Sequence, residues 1–206
     1  MIQKGSANMS NKTQSPYSQS PLVNVDLEKI KAKADVLSII EQAYCGHINL
    51  RGSTGNAEFM QAAEKILGLA LPVEFNTFSH NADLSVIWYG PNEWLLITAP
   101  GQEVTLVSEL KAALEGDFSA VTDITGGNTI LHISGSKARD LLAKGCPLDL
   151  HESAFGVGRC AQTVLAKAGM TILQIDQAPI FRVVIRRSFS DYLGTWFIDA
   201  AEEFSE

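Results

Sequence analysis

The sequence predicts an α+β fold made of two ββα-type halves, with antiparallel or mixed sheets and helices packed on one face. Three observations support this reading. Strand-like apolar runs arrive in pairs around turn residues, single amphipathic stripes at helical spacing separate the pairs, and glycine or proline punctuates the segments. That order does not fit a doubly wound parallel sheet, in which strand and helix alternate throughout.

Each element has its own justification. The first 25 residues are rich in Ser, Asn, Gln and Pro and hold no apolar core, which predicts a disordered arm and not a signal peptide. Residues 26–46 read as a helix or linker, because Lys, Glu and aliphatic residues mix there at roughly helical spacing. The α+β domain is expected over residues 47–206, as two subdomains with a boundary near residues 125–150. HINLRG (47–52) is a short strand ending at Gly52. AEFMQAAEKILG (57–68) sets Phe59, Ala62, Ala63, Ile66 and Leu67 on one helical face and stops at Gly68. PVEFNTFSH (72–80) reads as a strand entered through Pro72. LSVIWYGPNEWLLIT (84–98) is two apolar runs around Gly90-Pro91-Asn92, a hairpin.

VTLVSELKAALEG (104–116) carries the helical stripe Leu106, Val107, Leu110, Ala113 and Leu114, closed by Gly116. FSAVTDI (118–124) and NTILHI (128–133) flank Thr125-Gly126-Gly127, which predicts a second hairpin. SGSKARDLLAKG (134–145) is a short helix with Ser134 or Ser136 as N-cap and Gly145 as its stop. CAQTVLAKAG, MTILQI and PIFRVVIRR (within 160–187) are three strands. In the last, Phe181, Val183 and Ile185 alternate with Arg182, Val184 and Arg186, which predicts one buried and one largely wet face. A final helix is expected from Ser188, with Asp191 completing a weak capping box and Phe189, Leu193, Trp196, Phe197, Ala200 and Phe204 as its stripe.

Composition narrows the function. A net charge of -7 leaves no basic surface to neutralise a phosphate backbone, so nucleic acid is not an expected partner. No apolar run approaches a membrane span, which argues against a membrane partner. Three cysteines without a CxxC motif point to reduced thiols and a cytoplasmic setting.

The stretch with the most chemistry per residue is AKGCPLDLHESAFGVGRC (143–160). Glycine after a helical stripe followed by proline is how a chain ends a helix, so Cys146 reads as a small buried hydrophobe. The negative end of the preceding helix also disfavours a thiolate there. Asp149, His151 and Glu152 could gather around Cys146, but a structural zinc site wants four ligands in paired spacing, and the Cys45-Gly46-His47 segment supplies no matching pair. GVGRCA (156–161) formally fits a dinucleotide fingerprint, with Asp176 downstream, yet a polar loop precedes it and a strand follows it where a helix is required. His47, His80 and His132 lack obvious partners, and Trp88, Trp94 and Trp196 sit in apolar stripes as core. No catalytic, cofactor-binding or metal-binding residue is therefore assigned to this chain.

The segments GHINLRG, LGLALPVEFNTF, WYGPNEWLLI, VTDITGGNTILHISGSKARDLLAKGCPLDLHESAF, GRCAQTVLAKAG and PIFRVVIRRSFSDYLGTWFIDAAEEF resemble the gamma subunit family of bacterial heterotetrameric sarcosine oxidases. The resemblance covers nearly all of the chain from residue 47 onward. It implies a fold related to the folate-binding fold of the glycine-cleavage aminomethyltransferases. It further implies a noncatalytic assembly subunit in a complex that oxidatively demethylates sarcosine to glycine, yielding hydrogen peroxide and either formaldehyde or methylenetetrahydrofolate. FAD, FMN, NAD, zinc and tetrahydrofolate are then expected on the partner alpha, beta and delta subunits, with alpha the chief contact. Interface candidates, chosen by residue chemistry, are Arg51, Arg182, Arg186, Arg187 and the loop residues Cys146, Pro147, Asp149 and His151. Two alternatives share the architecture: a small subunit of a related complex such as N-methylglutamate dehydrogenase, and a stand-alone folate-binding or aminomethyl-transferring protein with a carboxylate facing the pterin.

Overall fold

The structure is a computed structural model that describes residues 18–205. One turn of 3-10 helix, Leu27–Lys29, leads into β1 (Ser38–Gln42) and β2 (Gly46–Arg51), followed by α1 (Ala57–Leu67). Next come β3 (Phe78–His80), β4 (Leu84–Gly90), β5 (Glu93–Thr98) and α2 (Glu103–Ala113). The second half contains β6 (Ala120–Asp123), β7 (Asn128–Ser134), α3 (Ala138–Ala143), β8 (Cys160–Leu165), β9 (Ala168–Asp176), β10 (Ile180–Arg186) and α4 (Ser190–Ala201).

The strands form two five-stranded sheets, both antiparallel throughout, ordered β3-β4-β5-β2-β6 and β1-β7-β10-β9-β8. Strand periodicity explains how they stack. In β5, Trp94 and Leu96 join Phe59, Ala63 and Leu67 of α1 and Leu110 of α2 in one core. Leu95 and Ile97, on the other face, meet Ile130, Leu173 and Val184 of the second sheet. In that sheet Leu131, Ile133, Phe181, Val183 and Ile185 face α3 and α4. The result is four layers, helices outside and two sheets inside, and it accounts for the unbroken apolar run at 94–97: both faces of β5 are buried.

α1 starts and stops as expected. Asn56 Oδ1 accepts from the Glu58 and Phe59 amides at 3.0 and 3.2 Å, and Gly68 ends the helix at φ +64.

Seven expectations need correction. Residues 27–41 do not form a helix: after a single 3-10 turn, Ser38–Gln42 pairs with β7 as an edge strand, a tertiary pairing that overrides local spacing. The expected arm of residues 1–25 is packed where the structure describes it. Leu22 is buried in the helix-side core, Ser20 bonds Glu41, and Ser190 Oγ donates to the Pro21 carbonyl at 2.6 Å; residues 1–17 lie outside the described residues. The expected strand at 72–80 is confined to its last three residues.

The predicted hairpin around Thr125-Gly126-Gly127 is instead a crossing between sheets, since β6 pairs with β2 while β7 pairs with β1 and β10. The glycines permit a reversal but do not choose the partner strand; the Thr125 hydroxyl, 3.0 Å from the His47 amide, fixes the exit. Neither Ser134 nor Ser136 caps α3, because the carbonyls of Asp35 and Val36 take the Ser136 and Lys137 amides at 2.9 Å. Ser188 likewise caps nothing: a 3-10 turn, Arg187–Phe189, precedes α4. The outer alternation of β10 is not wet either, for Val184 is buried between the sheets and Arg182 is half-buried there.

Candidate functional site

The seam between the sheets is where this fold makes concavities. Its middle is apolar, built from Ile87, Leu95, Ile97, Ile130, Leu173 and Val184. Toward one end of β4 and β10 lies a cleft of about 690 Å³ bordered by Tyr89, Gln162, Thr171 and Arg186. There the Tyr89 hydroxyl stands 2.7 Å from Thr171 Oγ1, and Gln162 Nε2 donates to the Tyr89 carbonyl at 2.8 Å. None of the residues bordering this cleft is a carboxylate. Toward the other end is a smaller cavity of about 290 Å³ that contains Cys45, Ser85, Thr98 and Arg182. A third hollow, about 810 Å³, opens beneath residues 18–21 and holds Glu103 and Arg187.

Burial shifts the histidine and cysteine side chains of the seam toward their neutral forms. Burial pushes the His47 imidazole below its ordinary pKa, only partly opposed by the bond of Nδ1 to the Cys45 carbonyl and by Asp123. Burial does the same to His132, assisted by the Arg182 guanidinium paired with it across β7 and β10. The Cys160 thiol is pushed up to about 12, chiefly by burial, and Cys45 is raised by burial against the opposing pull of Arg182. A nucleophile needs the opposite treatment.

The loop at 143–160 is a connection, as its glycines and proline suggested. The Gly145 and Cys146 amides both bond the Leu142 carbonyl, at 3.2 and 2.9 Å, which closes α3. Cys146 is 6% exposed in the helix-side core, so as an interface candidate it is corrected: it lies beneath the surface, with exposed Pro147 above it. Cys160 lies in the inter-sheet core, on the other face of the second sheet, and all three cysteines are free thiols. Asp149 Oδ1 accepts from the His151 amide at 2.9 Å, and His151 Nδ1 is 2.8 Å from Ser153 Oγ, an exposed turn with no ligand-like convergence.

Arg139 organises this loop and went unnoticed in the sequence. It bonds the Leu150 and Phe155 carbonyls and Gln174 Oε1, and it lies 5.2 Å from the centre of the Phe181 ring. Its place in a six-residue helix gives no periodic signal that would distinguish it from a solvated arginine. The GVGRCA segment runs into β8, so no helix N-terminus meets a pyrophosphate there. Among the described residues no three His, Cys, Asp or Glu side chains are grouped as a metal would need. Among the described residues, then, the glycine pair does not fit a dinucleotide and no side-chain group fits a zinc ion.

The arginine candidates are not gathered into one patch. Arg51 is exposed and paired with Glu93 at 2.9 Å, with Asn49 completing the cluster. Arg186 borders the larger seam cleft, Arg187 donates to the Gln19 carbonyl at 3.3 Å, and Arg182 reaches Ser85 of the facing sheet at 3.2 Å.

This geometry defines a class of protein, a paired-sheet α+β domain with buried histidine and cysteine side chains and no assembled catalytic constellation among the described residues. The chain belongs to the sarcosine oxidase gamma subunit family, whose family model matches residues 51–203. It is 32% identical over 173 residues to the sarcosine oxidase subunit gamma of Corynebacterium sp. strain P-1, covering 84% of this chain and 83% of that one. Identity to the subunit of the same name from Arthrobacter sp. is 34% over 176 residues, with 84% and 83% covered. Among solved structures it is similar to a chain of the heterotetrameric sarcosine oxidase from Corynebacterium sp. U-96 in complex with pyrrole 2-carboxylate, with a TM-score of 0.85, 27% identity, and 92% and 97% of the two chains covered. The glycine cleavage system aminomethyltransferase T from Bartonella henselae shares the fold, with a TM-score of 0.60 at 13% identity over 90% of this chain and 51% of that one.

Proposed function

We propose that this chain is the noncatalytic gamma subunit of a cytoplasmic heterotetrameric sarcosine oxidase, contributing shape to a complex that oxidatively demethylates sarcosine to glycine. The observation that carries this reading is likeness along the whole chain, 92% of it on 97% of a chain from such a heterotetramer, without a large insertion or missing half. FAD, FMN, NAD, zinc and tetrahydrofolate belong to the partner subunits in this reading. Alpha is the principal partner, with beta and delta completing the tetramer. An obligate interface of this kind buries on the order of 2,000 Å² or more.

Arg51, Pro147, Asp149, His151, Arg186 and Arg187 remain on the surface as docking residues. Phe75 and Phe118, 66% and 102% exposed, add apolar anchors of the type that interfaces favour. Co-expression of the tagged chain with the flavin-bearing subunits, followed by size analysis and amine oxidation assays, tests the proposal. A yellow assembly that oxidises sarcosine and retains this chain through purification is expected. An assembly that prefers N-methylglutamate would shift the substrate, and a chain that elutes alone while the other subunits assemble and turn over without it would refute the role.

A further inference from the structure

We propose that the smaller seam cavity is a binding site for a carboxylate, with Arg182 as its cationic anchor. The cavity, about 290 Å³, lies between the two sheets, with Ile97 and Ile130 among its apolar walls and Ser85, Thr98 and Arg182 as polar ones. Arg182 is half-buried on β10, and its Nε is buried with no hydrogen-bond partner. Among the described residues its one side-chain bond runs from Nη1 to Ser85 Oγ at 3.2 Å. No carboxylate among the described residues pairs with its guanidinium. A guanidinium Nε withdrawn from water without a partner is costly, so the surrounding structure leaves a need that an anion would meet.

The chemistry of the anion follows from the walls. The unpartnered Nε and Nη2 form the planar, two-donor edge that matches a carboxylate, whose two oxygens accept in parallel. Ser85, 2% exposed, accepts from Arg182 and retains its own hydroxyl proton for a further acceptor. Arg182 is the one cation lining the cavity and Asp83 borders it, so a dianionic phosphate is disfavoured more than a singly charged carboxylate. Ile97 and Ile130 suit a short aliphatic group behind the carboxylate. The carboxylate has two sources, a small free acid or an acidic side chain of a neighbouring subunit, and both present the same group to Arg182. The site stands apart from the subunit assignment, since the isolated chain contains all of it.

Sodium propionate is the probe, titrated into the full-length chain against sodium chloride at equal ionic strength and followed by amide NMR shifts. Saturable shifts centred on Ser85, Thr98 and Ile130 are expected. Arg182→Gln should weaken binding about 10- to 100-fold, the worth of a charge-assisted hydrogen-bond pair. Arg182→Lys, which keeps the charge and loses the fork, should weaken it less. Ser85→Ala offers a fold-preserving second variant and should also bind more weakly. Repeating the titration on the assembled complex separates the sources. Propionate binding that persists there identifies a free acid. Exclusion of propionate, together with weaker assembly of Arg182→Gln, identifies a side chain of the partner. A response no different from chloride in the folded chain, with assembly indifferent to Arg182→Gln, would overturn the proposal.

Discussion

Replacing Gly52 with alanine tests how tightly the helix-side core of the first sheet is built. Gly52 is not at positive φ, so alanine is conformationally acceptable and any effect is steric. A methyl at this position would sit 2.8 Å from Phe59 Cδ2 and closer still to Cε2 and Cζ, where ordinary contact begins near 3.4 Å. The ring must therefore retreat by more than about half an ångström, in a core packed at near-crystalline density. Trp94 stands in the way: it is fully buried, its ring 5.9 Å from that of Phe59, and its indole nitrogen is held by the Pro72 carbonyl at 2.8 Å. Overpacking of this kind costs about 2–3 kcal/mol, which corresponds to a melting temperature lower by roughly 4–12 °C for a chain of this size. Urea unfolding followed by tryptophan fluorescence reads it directly. Adding Phe59→Leu removes the ring atoms in conflict, so the double variant should lose less than the sum of the two single losses. Gly52→Ala within about 0.5 kcal/mol of the parent, or strict additivity in the cycle, would refute the steric reasoning.

Other consequences concern protons, thiols and the loop. Because burial lowers the folded pKa of His47 below its ordinary 6.5, the unfolded chain takes up the proton first as pH falls. Stability present above pH 6.5 should thus be lost below it, by at most about 1.4 kcal/mol per pH unit from this group; urea midpoints at pH 7.5 and 5.5 should show the loss, and His47→Gln should shrink it. With its thiol pushed up to about 12, Cys160 should resist iodoacetamide in the folded chain at pH 8, as should buried Cys146, while both label in urea. Native labelling of Cys160 at the denatured rate would contradict its burial. Arg139→Met should free the Leu150 and Phe155 carbonyls and raise amide exchange across residues 146–156 well beyond that of α1, read by hydrogen exchange mass spectrometry.

Local signals carried far in this sequence, and partner choice did not. The helical stripes and the Gly90-Pro91-Asn92 hairpin were legible because each depends on residues close in the chain. The pairing of β6 with β2 was not, since nothing within Thr125-Gly126-Gly127 encodes which strand edge lies nearby. Ser38–Gln42 has too few residues to override a helical reading until β7 is beside it. At the candidate site, the burial of Cys146 followed from the glycine and proline around it. Arg182 looked like a solvated residue, because the β10 alternation describes two faces and says nothing of a second sheet stacked on one of them. The clamp made by Arg139 joins three segments distant in sequence and has no local signature.

The central claim is that the chain contributes shape to an assembly and carries no redox chemistry of its own. The absorption spectrum of the purified full-length chain, taken with its oxygen uptake on sarcosine, tests that most directly. A colourless chain without turnover is the predicted result, whereas bound flavin with sarcosine-dependent peroxide formation by the chain alone would contradict it.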